Sequence, residues 1–139
     1  MIKFKKINYN KLTAKQQESY NFQKVSAILA DIGYTTTRLP DDWQSADFVA
    51  QHVDKKTFLK VQLKSKFSIN KKYSGKDLYI AFRAGEEFYL YPHDELRDYV
   101  LQNSNVENTE SWKKKGYYFW PTTPKKYIKY LKKNKYKIK

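Results

Sequence analysis

The 139-residue chain contains no cysteine, only two histidines, His52 and His93, and four residues each of glycine and proline. Without thiols there can be no disulfide and no thiolate zinc site, and two imidazoles are too few for an all-histidine metal centre. Any bound metal must therefore be held by oxygen. No run of about 18 apolar residues is present, which excludes a membrane-spanning helix, and Met1–Lys6 lacks the apolar stretch of a secretory signal. A cytoplasmic location is the expectation. Internal repeats, a glycine-rich phosphate loop and a heptad series are also missing, so nucleotide-binding and coiled-coil readings have no support.

Acid is missing from one end of the chain. Residues 111–139 carry eleven lysines and no carboxylate side chain, whereas residues 1–110 hold 17 basic and 14 acidic residues, an excess of three. Eleven of the 14 net positive charges therefore sit in the ending, which suggests a core over 1–110 with a lysine- and aromatic-rich extension of the same domain over 111–139. The extension also contains Trp112, Tyr117, Tyr118, Phe119, Trp120, Tyr127, Tyr130 and Tyr136. Lysine neutralises phosphate and releases counterions, and aromatic faces stack on unpaired bases, so the mixture suits nucleic acid. The competing reading is a solvated lysine tail whose aromatics pack on the domain.

Hydrophobic spacing divides the chain into elements. Ala14, Glu18, Phe22, Val25, Leu29 and Ile32 recur at intervals of three and four, predicting an amphipathic helix over Lys11–Ile32 that stops at Gly33. Glu18 shares the apolar face and so points toward the domain. Tyr34–Leu39 is β-branched and aromatic and reads as a strand broken by Pro40-Asp41-Asp42. Ala46–Val53 and Thr57–Lys64 both alternate and are separated by Asp54-Lys55-Lys56, which predicts a hairpin. Leu78–Phe82 and Phe88–Tyr91 read as two further strands turning at Gly85. A short helix follows from His93, with Asp94 and Glu95 favoring its N-terminus, while His52 is expected to be exposed at the hairpin end. Asn103–Glu110 reads as a loop, Tyr117–Trp120 as a short strand, and Thr123-Pro124 as the start of a last helix.

Phosphodiester hydrolysis needs a divalent cation that polarises phosphate and acidifies water, and a fixed positive charge near the developing oxyanion. Magnesium takes oxygen ligands, and one or two carboxylates suffice. Asp47 is the one acid in an otherwise apolar or neutral strand. On the partner strand Gln62 and Lys64 are two residues apart and leave the sheet on one face, offering an amide carbonyl and an ammonium. Lys60 shares that face. Taken singly, Asp47 and Lys64 also fit a surface ion pair, and Gln62 a solvated polar residue. Asp41-Asp42-Trp43-Gln44 could lend a second carboxylate or form a plain polar turn.

Ala46-Asp47-Phe48, a tight turn, and then Val61-Gln62-Leu63-Lys64 resemble the signature of the PD-(D/E)xK, or restriction-endonuclease-like, nucleases in a D…QxK variant. Ala46 stands where that motif often has proline, and Gln62 where it more often has an acid. Many members also carry a glutamate on the preceding helix, a place that Glu18 matches. The resemblance covers about Lys11 to Phe82. It implies an α/β (α+β) fold with a mixed four- to five-stranded central sheet flanked by helices. It further implies a DNA endonuclease using Mg²⁺ or Mn²⁺, with RNA left open as a substrate. Asp47, Gln62 and Glu18 would hold the metal, and Lys64 would assist water or the charged phosphate. Nucleic-acid contacts are expected at Lys60, Lys66, Lys113, Lys114, Lys115, Lys125, Lys126 and Lys129. The chain is short for a sequence-reading nuclease, so a homodimer or partner is expected to supply recognition. The alternative is a catalytically inactive nucleic-acid-binding protein that keeps the fold.

Overall fold

The computed structural model describes residues 3–139, with the side chain of Asp42 also outside the description. Met1 and Ile2, part of the N-terminal stretch considered above, therefore lie outside the described residues, as does the carboxylate of Asp42. Helix α1 spans Ala14–Asp31. It begins later than the spacing predicts because Thr13 and Gln16 form a reciprocal capping box that satisfies the first backbone donors, while Tyr9–Lys11 forms a separate 3₁₀ turn. Gly33 turns the chain into the sheet at φ 92°, a left-handed conformation that suits glycine. An added Cβ there would also lie 2.8 Å from His52 Nε2.

The strands are β1 (Tyr34–Trp43), β2 (Ala46–His52), β3 (Phe58–Lys64), β4 (Phe67–Asn70), β5 (Leu78–Ala84), β6 (Glu87–Pro92) and β7 (Tyr117–Trp120). Five form a mixed sheet in the order β1-β2-β3-β5-β6, in which only the β3–β5 pair is parallel. Helices α2 (His93–Gln102) and α3 (Lys125–Lys133) complete the fold. This is the mixed sheet flanked by helices that the sequence implies.

Alternation within each strand makes two cores, one on either face. Toward α1, Phe48, Ala50, Val61, Ala81 and Leu90 pack with Val25 and Leu29. On the other face, Ile80, Phe82, Tyr89 and Tyr91 pack with Leu96 and Val100 of α2, Tyr127 and Leu131 of α3, and Phe67 and Ile69 of β4. The basic ending is therefore structural as well as charged. After α3 the chain lies along the edge of β6, where Leu90 N–H donates to Tyr136 O at 2.9 Å and Ile138 N–H to Phe88 O at 2.8 Å. No described helix is long and apolar enough to cross a membrane.

Several local expectations change. Strand β1 runs through Pro40-Asp41-Asp42 because it is a sheet edge, where proline's missing donor faces no neighbour, and its register with β2 shifts between Arg38 and Trp43. His52 is half-buried, its Nε2 3.0 Å from Ile32 O and its ring against Tyr34. Strand β4, a 3₁₀ turn at Val106–Asn108 and a π-helical turn at Ser111–Lys115 were not expected. The acids of α2 do sit in its first turn, but His93 itself is buried.

His93 accepts the Asn70 backbone N–H at Nε2 (3.2 Å), so its proton sits on Nδ1, which donates to Asp94 at 2.9 Å. Burial pushes its pKa below the ordinary value of 6.5, with Asp94 opposing. In the interval between the two values the unfolded state binds the proton that the folded state refuses. The stabilisation is therefore complete above about pH 6.5 and is lost as pH falls through the lower folded value. Melting temperature should fall over that interval in the native protein, and His93→Gln should remove this part of the pH dependence.

Candidate active site

Pairing between β2 and β3 runs from Gln51↔Phe58 to Phe48↔Val61 and then stops. Continued pairing would place Asp47 opposite Gln62. Instead Asp47 Oδ2 accepts the Leu63 backbone N–H at 2.9 Å, so a side chain takes over where the ladder ends. β3 continues to Lys64, paired with β5 through Lys64↔Phe82. The two strands thus separate at one end of the sheet, and the first turns of α1 cover the gap.

The resulting cleft has a volume of about 340 Å³. Its wall includes Glu18 from α1, Asp47 from the start of β2, and Gln62 and Lys64 from the end of β3, so the four side chains singled out by the sequence share one cavity. Asp47, Gln62 and Lys64 are half-buried. Burial pushes the Lys64 ammonium below the ordinary lysine pKa, an effect that the Asp47 carboxylate opposes. The Lys64 Nζ lies 5.2 Å from the centre of the Tyr73 ring. Gln62 turns its amide nitrogen toward Leu63 O at 3.4 Å, leaving the amide oxygen as the ligand-forming end.

Glu18 differs from the others. Its side chain is 52% exposed, and its Oε1 accepts from Arg38 Nη2 at 2.6 Å. Helix periodicity gives the direction of a side chain but not its depth, and Glu18 lies beyond the part of α1 that packs on the sheet. The polar residue of that face buried in the fold is Asn21, one turn further along.

Two residues of the same wall were missed. Asn21 donates from Nδ2 to Tyr9 Oη at 2.8 Å, but its buried Oδ1 has no hydrogen-bond partner among the described residues. Arg83, at the end of β5, has a side chain only 9% exposed. Its guanidinium lies 3.6 Å from the Tyr9 ring centre and donates from Nε to Gly85 O at 2.6 Å, while its buried Nη1 lacks a partner among the described residues. Sequence offers one signal for it: arginine is rare in this lysine-rich chain, occurring only at positions 38, 83 and 97.

The predicted nucleic-acid contacts scatter. Lys66 stands beside the cleft, its Nζ 5.1 Å from the Phe119 ring centre. Lys60 donates to Gln44 Oε1 at 2.6 Å and lies over Trp43, outside the cleft wall. Lys113, Lys114 and Lys115 occupy the π-helical turn, Lys114 pairing with Glu110 at 2.9 Å. Lys125, Lys126 and Lys129 belong to α3, where Lys126 donates to Asn103 O at 3.0 Å. None of these α3 lysines lines the cleft.

The fold has counterparts among solved structures. The chain matches no protein-family model and no curated protein. Among solved structures it is similar to the bacterial homing endonuclease I-Ssp6803I, at 17% identity and a TM-score of 0.51, over 87% of this chain and 93% of that one. It also matches Archaeoglobus fulgidus Hjc, a Holliday junction resolvase from an archaeal hyperthermophile, at 13% identity and a TM-score of 0.46, over 55% of this chain and 72% of that one. At 17% identity the likeness to the homing endonuclease establishes a shared fold and leaves the chemistry to the side chains.

The Asp47–Leu63 bond gives the acid a structural share that can be separated from any catalytic one. Asp47→Ala should lower unfolding free energy by about 1–2 kcal/mol, since it strands a partly buried N–H, whereas Asp47→Asn keeps an acceptor and should lose less than about 1 kcal/mol. Urea denaturation followed by circular dichroism measures both.

Proposed function

We propose that the protein is a metal-dependent endonuclease that hydrolyses DNA phosphodiesters in the cleft between α1 and the diverging ends of β2 and β3. The observation that carries this reading is that Asp47, Gln62, Lys64 and Glu18 line one cavity in a nuclease-like fold. DNA is favored over RNA by analogy with the nuclease that shares the fold.

The donor set fits a small hard cation. Asp47 offers a carboxylate and Gln62 an amide oxygen, and Mg²⁺ or Mn²⁺ accepts such ligands while keeping several waters. Such an ion supplies polarisation of the phosphate and a lowered pKa for bound water. Among the described residues no three His, Cys, Asp or Glu side chains gather into one group, so Asp47 is the single firm anionic ligand. Glu18 joins only on leaving Arg38, and then holds water or completes the donor set.

Lys64 and Arg83 supply the positive charge. Lys64 stands beside Asp47 on the cleft wall and orients water or meets charge developing on phosphate oxygens. Arg83 lines the same cleft from a tyrosine-stacked position, and its guanidinium suits a non-bridging phosphate oxygen. The scarcity of acid ligands and the engagement of Glu18 by Arg38 favor one second reading, an inactive nucleic-acid-binding protein on the same fold.

Plasmid and branched-DNA cleavage in Mg²⁺ or Mn²⁺ decides between them. We expect chelator-sensitive cleavage by the native chain, reduced about 100-fold or more by Asp47→Asn or Lys64→Ala and less by Glu18→Gln. Arg83→Lys should keep the fold and lose at least about 10-fold, because lysine cannot reproduce the planar donor pair. Tight, salt-dependent binding without cleavage in either metal would establish the second reading instead.

A further inference from the structure

Of the eight aromatic residues in the basic ending, six are committed to the fold: Trp112 and Tyr127 are buried, and Tyr118, Trp120, Tyr130 and Tyr136 pack against the core. Tyr117 and Phe119 are different. They alternate with Tyr118 and Trp120 along β7, and the pairing of β7 with β4 turns them to the outer face, where they are 37% and 44% exposed. Their rings lie within 16° of parallel with centroids 6.5 Å apart. Tyr99 and Tyr130, by contrast, form a closed stack at 3.8 Å. Tyr117 and Phe119 thus present ring surface that their own contact does not use up.

These rings border a groove of about 250 Å³ whose wall also includes Lys64, Ser65, Lys66 and Ser68 and contains no carboxylate. Lys64 and Ser65 line both this groove and the candidate active site, so the two cavities meet at the end of β3. Exposed planar rings flanked by lysine, with no acid, match single-stranded nucleic acid: bases stack on the rings while ammonium groups follow the phosphates. A duplex hides its base faces in its own stack and offers only edges and phosphates. A protein partner fits less well, since lysine is depleted at such interfaces.

We propose that Tyr117 and Phe119, with Lys64 and Lys66, form a base-stacking platform that holds unpaired nucleotides beside the cleft. The substrate class that follows is nucleic acid with unpaired bases flanking the cut phosphate. The position of the cut rests on the nuclease reading, whereas the stacking does not. On binding, Lys66 leaves the Phe119 ring for a phosphate and a base takes its place.

Binding by the full-length protein in EDTA, where metal-dependent cleavage cannot occur, tests the platform alone. Fluorescence anisotropy would compare an unstructured oligonucleotide of roughly 20 nucleotides, spanning at least one site, with the same sequence as a duplex. The double variant Tyr117→Ser/Phe119→Ser should weaken single-strand binding about 10- to 100-fold and leave duplex binding within about twofold, since phosphate contacts are retained. Tyr117→Trp/Phe119→Trp should bind the single strand as tightly as the native chain. An unchanged single-strand affinity, or equal losses on both ligands in a variant whose melting temperature is native, would overturn the proposal. A selective loss supports it whether or not the protein cleaves in Mg²⁺, so the two readings fail separately.

Discussion

The hydrogen bond from Leu63 N–H to the Asp47 carboxylate is the contact around which this molecule is arranged. A sheet cannot open between two strands without leaving backbone groups unpaired, and a buried orphan N–H costs about 1–3 kcal/mol. Here the acid closes the ladder and ends it at once. β3 then continues beside β5 alone, and the space given up by β2 becomes the cleft beneath α1. One side chain thus creates a cavity, satisfies its edge and places a carboxylate on its wall.

Elements whose evidence is local were legible in the sequence. Alternation through Ala46–Val53 and Thr57–Lys64 located the hairpin and put Asp47, Gln62 and Lys64 at the same end of two neighbouring strands, because both periodicity and a tight turn are short-range features. β4 was invisible for the opposite reason. Four residues, Phe67–Asn70, alternate too briefly to mark a strand by themselves, and their partner β7 is some fifty positions away. Pro40 was misread because proline breaks a central strand but not an edge, and edge position is a property of the assembled sheet. Arg83 and Asn21 were missed because their importance lies in what they lack, a partner for a buried polar atom, and spacing does not reveal that.

The basic ending is part of the folded domain as well as its most cationic stretch. Tyr127 and Leu131 close one core while the final residues pair with β6, so the ending cannot swing free as a solvated tail. Its lysines stay outside, as long charged side chains do when their stems lie over apolar surface. Reading the composition as either tail or binding surface was therefore too coarse. Strand alternation sorts the aromatics residue by residue, inward at 118 and 120, outward at 117 and 119.

Glutamine at position 62 belongs to the same balance of charge. A second carboxylate beside Asp47 would hold a cation more tightly and also repel the phosphate that must approach it, and burial in the cleft would magnify both effects. In the proposed site the neutral amide would give up metal affinity and lessen that repulsion. Lys64 and Arg83 add two cationic side chains to the wall, opposed there by Asp47 and Glu18, while Arg38 engages Glu18 and Glu86 lies 3.4 Å from Arg83. On the proposed reading, a metal held by Asp47 and Gln62 would be stabilised further by the phosphate oxygens of a bound polyanion. On that reading the affinities for cation and for nucleic acid would be coupled, each raising the other. Lys64 lines both the cleft and the aromatic groove, and so joins the two proposed sites.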